Sequence, residues 1–265
     1  MDSTFTILAR IAKNAKWPAT PVWSQSSQRE FQATLDLLDA YRDSSEVLYR
    51  AMNGFVSISN ACYGQAGAAA VLTIAATREP ENKELWHQVS HLLESAKRLN
   101  DSVAAVGAIE INYLIALQRT DEALPKLKKL IKANPTDYWA CRASMQYWGA
   151  IGDITQATVW WKKAEESAHS SRRWEQVLWR AGVLSQQHQL WQQALDFYLQ
   201  LAPGNRDDAW LYLHIAQIYF ELGEYTKARA YVGQSLENDD LADAELLQKK
   251  ITKQTTWWRK HLPWG

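Results

Sequence analysis

His87 and His91 stand one helical turn apart, a spacing at which two imidazoles can bind a metal. Residues four apart share a helix face, so His-x-x-x-His can grip a divalent ion. The zinc-protease form of the motif needs Glu directly after the first His, where it serves as general base. Gln88 stands there instead, and an amide cannot take up the proton. Both histidines also fall off the face made by Leu85, Val89 and Leu92, so they read as solvated side chains. Cys62 and Cys141 lie far apart in apolar helical surroundings and read as buried free thiols, not as a disulfide framework. The sequence contains no phosphate loop, nucleophile elbow or paired-cysteine metal motif. The expectation is a protein with no catalytic residue, no metal and no cofactor, and so not an enzyme.

Charge and aromatic content narrow the class further. The 265 residues carry 29 basic and 29 acidic side chains. A chain without basic excess is a poor candidate for nucleic-acid binding. Lys126, Lys128, Lys129 and Lys132 form a basic helix segment, and Glu237, Asp239, Asp240, Asp243 and Glu245 an acidic one. Both read as solvated faces that could steer a partner or align copies in a homo-oligomer. The 14 tryptophans are the compositional anomaly. Aromatic side chains bury large areas and are enriched at interfaces, so some are expected in the core and some on a binding surface. The tail with Trp257, Trp258 and Trp264 is expected to cap the fold or dock on a partner. No apolar run approaches the ~20 residues of a membrane span. Arg10 interrupts the opening apolar stretch, which argues against a secretory signal. A transit peptide is an alternative to a docked helix or loose arm, and a cytoplasmic location is expected.

Apolar residues recur at three- and four-residue spacing through most of the chain, the period of helices with one buried face. No stretch alternates in the manner of a strand. Residues 1–29 read as an N-terminal arm, broken at Trp17-Pro18 and Thr20-Pro21 and followed by a polar linker from Ser24 to Gln28. Helices are expected from Glu30 to a break at Asp43, then from about Val47 to Tyr63, with Gly64 and Gly67 as the next turn. A small-residue helix ends at Pro80. Further helices fall over 82–98, 102–117, 121–133 and 137–150, then from Asp153 to Ala168 and from Ser171 to Gln189. The series ends with Trp191 to Leu201, two helices around Gly223, and a last one from Ala242 to about Thr252.

The small residues that open the second helix of successive pairs are Ala123, Ala157, Ala194 and Ala228, at intervals of 34, 37 and 34. This period resembles the tetratricopeptide repeat. Tyr212, Ile215, Ala216, Tyr219, Gly223, Ala228 and Val232 carry the fullest copy. Trp148, Gly152, Ala157, Trp161 and Ala164 carry a second. A third keeps Gly182, Ala194 and Tyr198 but has Gln189 where the family uses Gly. A fourth keeps Leu117, Ala123 and Pro135, with Gly107 in place of its bulky residue. Residues 49–80 resemble a degenerate copy. The resemblance implies an all-α, right-handed solenoid of antiparallel helix pairs. It divides into the arm, degenerate repeats over 30–100, regular repeats over 101–242, and a capping helix with its Trp-rich tail over 243–265.

In that family the first helix of each pair lines a groove. The resemblance places Ala105, Ala108, Asn112 and Ile115 there, then Trp139, Arg142, Gln146 and Gly149. Gln176, Trp179, Val183 and Gln186 follow, and then Trp210, Leu213, Gln217 and Phe220. Some relatives clamp a partner's terminal carboxylates with Lys and Asn. Here Ala108, Ala143 and Gln176 stand at clamp positions, and Asn112 and Arg180 alone fit. The expected ligand is therefore an apolar or amphipathic segment of a protein partner, held by Asn112, Trp139, Arg142, Gln146, Trp179, Val183, Trp210, Gln217 and Phe220. The expected role is an interaction scaffold or assembly adaptor. Alternatives are a specialised chaperone for a secreted or assembling subunit, and a helical-repeat enzyme or small-molecule sensor.

Overall fold

The computed structural model describes residues 3–18, 23–39 and 44–261, with backbone alone over 257–261. The Thr20-Pro21 break and the side chains of Trp257, Trp258 and Trp264 lie outside the described residues. The described residues form α-helices and no strand. They divide into two units, Met1–Arg173 and Trp174–Gly265, and the division falls inside a helix.

The first unit holds α1 (Thr4–Asn14), α2 (Gln25–Asp39), α3 (Ser45–Ser57), α4 (Ala61–Arg78) and α5 (Lys83–Leu99). It continues with α6 (Ala104–Ala116), α7 (Thr120–Ala133), α8 (Tyr138–Ala150), α9 (Ile154–Glu166) and the first turn of α10 (Ser171–Gln187). Consecutive helices pack as pairs: α2 on α3, α4 on α5, α6 on α7, α8 on α9. The first helices of these pairs pack on one another in the order α2, α4, α6, α8. The N-terminal segment is a docked helix: Ser3 caps α1, which buries Leu8, Ala9 and Ala12 and packs on α3, α4 and α5. Ser24 is not in a linker. Its hydroxyl accepts the Ser27 amide at 3.0 Å and so opens α2 five residues earlier than expected from the apolar pattern.

Gly64 and Gly67 are inside α4 rather than at a turn. The break comes earlier, at Ile58 to Asn60, where the Asn60 side chain accepts the Tyr63 amide at 3.2 Å. The two glycines make room. A Cβ on Gly67 would stand 2.0 Å from the Phe55 ring, and one on Gly64 would stand 2.8 Å from the Phe55 carbonyl oxygen. Small residues here let α3 and α4 approach closely.

The second unit holds the rest of α10, α11 (Trp191–Leu201), a 3-10 turn, α12 (Ala209–Glu221), α13 (Tyr225–Asn238) and α14 (Ala242–His261). α14 packs on α12 and α13, burying Ala244, Leu247 and Ile251, and continues beyond Thr252.

One turn geometry recurs between the helices of a pair. Gln118, Gly152, Gln189 and Gly223 all have positive φ, at 59°, 83°, 59° and 76°. The next residue in each case donates its N–H to the carbonyl five residues back: Arg119 to Leu114, Asp153 to Trp148, Leu190 to Ser185 and Glu224 to Tyr219, each at 2.9 Å. This is the bonding of a Schellman cap. It persists at Gln118 and Gln189, where no glycine marks it.

Candidate partner-binding site

In the second unit the groove-assigned residues of α10 and α12 meet through one polar network. Asp208 caps α12 by accepting the Leu211 amide at 3.0 Å, which sets the phase of the helix. Trp210, His214 and Gln217 then fall on one side, at spacings of four and three. Gln186 Oε1 receives His214 Nδ1–H at 2.8 Å and the Tyr198 hydroxyl at 3.4 Å. The oxygen is therefore the acceptor side of that amide, and Gln186 Nε2 donates to Gln217 Oε1 at 3.1 Å. With Oε1 as the acceptor, His214 Nδ1 carries a proton, and Gln217 Nε2 is left as the donor of its own amide. The His214 ring stacks on Tyr198 at 5.3 Å and meets Trp179 edge-on at 5.3 Å. Trp179 and Leu213 are buried, while Val183, Trp210, Gln217 and Phe220 are half-exposed. Phe220 also meets Tyr225 edge-on at 5.5 Å.

The first unit treats its groove-assigned residues differently. Asn112 and Gln146 are partly exposed, but Trp139 and Arg142 are only 8% and 5% exposed. They are engaged by α2. Arg142 makes a two-pronged ion pair with Asp39, one prong at 2.6 Å. Trp139 Nε1–H donates to Gln32 Oε1 at 3.3 Å. The Arg142 guanidinium also lies 5.1 Å from the Trp139 ring centre. Burial opposes the charge on Arg142, but the Asp39 carboxylate, with smaller contributions from Tyr138 and Asp36, more than offsets it and holds the guanidinium more firmly protonated than usual. Burial likewise raises the Asp36 carboxyl above its ordinary value, against the pull of Arg173. Sequence spacing places Gln32, Asp36 and Asp39 on one stripe, but nothing in it tells where that stripe points.

The remaining candidates take structural places. His87 and His91 are exposed. Among the described residues no group of three or more His, Cys, Asp and Glu could hold a metal ion, and no helix is long and apolar enough to cross a membrane. Burial pushes the Cys62 thiol up to about 11 and raises that of Cys141, so neither is a ready nucleophile. The basic segment of α7 is not wholly solvated. Lys126 pairs at 2.8 Å with Glu110 of α6, which also binds Lys97 at 2.7 Å, and Lys129 pairs with Asp101 at 3.0 Å. A cavity of about 610 Å³ opens beside α11, α12 and α13, lined by Tyr212, Tyr231, Arg206 and Glu237 among others, and shares no residue with the Gln186 network.

No family model matches the sequence, and no curated protein does. Solved structures do resemble the fold. PilF of Pseudomonas aeruginosa superposes with a TM-score of 0.54 at 16% identity, over 72% of this chain and 85% of that one. PilW, described as a widely conserved type IV pilus biogenesis factor, gives 0.55 at 13% identity, over 74% and 94%. A tetratricopeptide repeat protein from Parabacteroides merdae gives 0.52 at 18% identity, over 89% of each chain. Paired helices repeating every 34 to 37 residues, a recurrent left-handed turn and these superpositions together identify an all-α helical-repeat protein with a tetratricopeptide-repeat-like fold.

Proposed function

We propose that this chain is a non-enzymatic protein-binding scaffold, and that the α10–α12 face of its second unit holds an apolar or amphipathic segment of a protein partner. The observation that carries this reading is the Gln186–Gln217 amide pair, oriented by His214 and Tyr198. With Gln217 Oε1 taken by Gln186, its Nε2 is the donor left for a ligand, and Val183, Trp210 and Phe220 of the same two helices are half-exposed. An oriented amide donor among apolar walls suits a backbone carbonyl on an apolar segment. Buried aromatic anchors flanked by adaptable polar groups are the usual make-up of an interface centre. None of these four residues is charged, which disfavours a carboxylate ligand at this face.

A pull-down from the native cell tests the reading. Gln217→Ala and Trp210→Ala should each lose the principal partner captured by the wild-type chain, while Lys128→Ala, in the other unit, should keep it. Retention of every partner by the Gln217→Ala/Trp210→Ala double variant, with its circular dichroism unchanged, would overturn the assignment.

A further inference from the structure

We propose that the first unit carries a second site, of different chemistry: an arginine–aromatic cluster that binds an acidic helix and is held in this structure by the chain's own α2. The cluster comprises Tyr138, Trp139 and Arg142 of α8 with Arg172 and Arg173 in the first turn of α10. The inference deepens the scaffold reading by naming the class of partner that a further surface would take.

α2 has two stripes. Phe31, Leu35 and Leu38 form the apolar one and are buried, with Phe31 stacked on Tyr63 at 4.6 Å and edge-on to Phe55 at 6.0 Å. Gln32, Asp36 and Asp39 form the second, again at spacings of four and three. This polar stripe makes the long-range contacts: Gln32 with Trp139, Asp39 with Arg142, and the Asp36 carbonyl with Arg172 at 3.1 Å. Arg173 lies over Tyr138 at 4.8 Å and over Trp139 at 5.9 Å, so the guanidinium planes and indole form one recognition surface.

Two features distinguish this from a brace perfected for packing alone. Among the described residues, three guanidinium groups, those of Arg142, Arg172 and Arg173, gather against the Asp36–Asp39 end of α2. The contact is also imperfectly satisfied. Among the described residues, Gln32 Nε2 and Arg142 Nε are buried in this contact without a hydrogen-bond partner, as is Gln146 Oε1 elsewhere on α8, a state that native interiors generally avoid. Gln146 is one turn beyond Arg142 on α8 and belongs to the same face. A helix with a carboxylate at the position of Asp39 and an acceptor at that of Gln32 would reproduce the contacts of α2 with Arg142 and Trp139. Because the tethered stripe is always at hand, it masks the site from a free ligand of equal intrinsic affinity.

The test uses the full chain and a synthetic peptide with the sequence of residues 23–39. Asp39→Asn in the protein weakens the internal competitor, so this variant should bind the peptide about tenfold more tightly than wild type does. The same change made in the peptide should remove that gain, as should Arg142→Gln in the protein. A folded variant that binds no more tightly than wild type, or binds the acidic and amide peptides alike, overturns the proposal. Hydrogen exchange on the unmutated chain gives a second reading that does not depend on the variant folding. Excess peptide should deprotect amides of residues 31–39 and leave α12 unchanged, and unchanged protection of 31–39 at saturation also overturns it. Gln217 and Trp210 are outside this cluster, so the two proposed sites fail independently.

Discussion

Arg142 of α8 and Asp39 of α2, 103 residues apart in sequence, grip each other as a two-pronged ion pair, with side-chain exposures of 5% and 10%. A pair this buried costs more to break than its presence contributes, because removing one partner strands the other charge away from water. Asp39→Ala should destabilise the fold by about 3–5 kcal/mol. Replacing both residues by apolar ones of similar size should cost far less. Urea denaturation of the two single variants and the double variant measures the difference, and a double variant as unstable as Asp39→Ala would refute the argument.

Asp36 lies on the same stripe but behaves in the opposite sense. Its carboxyl is raised above the ordinary value, chiefly by burial. A raised folded-state value means that its stabilising contribution is complete below the unfolded value and is lost as pH rises through the folded one. Asp36→Asn should therefore be more stable than wild type at pH 7. The advantage should vanish by about pH 4, near the ordinary carboxylate value. Denaturation midpoints at the two pH values check this, and an advantage that grows on acidification would contradict it.

Gly67 tests the close approach of α3 and α4. An alanine Cβ would overlap the Phe55 ring at 2.0 Å, and Phe55 is fully buried. Gly67→Ala should cost at least about 1–3 kcal/mol, even though alanine is the better helix former. A smaller residue at 55 should recover part of the loss. Thermal melts of Gly67→Ala with and without Phe55→Leu measure it, and a higher melting temperature for Gly67→Ala would reject the packing account.

The left-handed turns make a paired prediction. Gly223→Ala places a Cβ at φ 76° and should cost about 1–2 kcal/mol. Gln189 already bears that strain at φ 59°, so Gln189→Gly should gain up to about 1 kcal/mol, less the added chain entropy of glycine. A melting temperature lowered by Gln189→Gly would show that its side chain does something the turn geometry does not explain.

Burial of both cysteines and the upward shift of Cys62 to about 11 predict slow labelling by a thiol reagent at pH 8 in the native protein, and prompt labelling of both in urea. Rapid native labelling of either would mean that its segment opens readily.

The sequence by itself determined the all-α class, the period of the repeat and most helix cores, because helical periodicity and the small residues at Ala123, Ala157, Ala194 and Ala228 are local signals. Tyr219, Gly223 and Ala228 could be read without a structure for that reason. Gly64 and Gly67 could not. A glycine that admits a neighbouring ring and a glycine that ends a helix have the same letter, and the position of Phe55 separates them. Gln118 and Gln189 hid their left-handed turns for the complementary reason: the Schellman bonds impose that conformation on a residue that does not favour it. The expected groove residues diverged on the same ground. Trp179 and Gln217 join one network across α10 and α12 of one unit, through His214 and Gln186, whereas Trp139 and Arg142 are covered by α2 from more than a hundred residues away. Which side chains share a helix face follows from spacing; which of those faces another part of the chain already occupies is a long-range matter, and tertiary structure alone decided it.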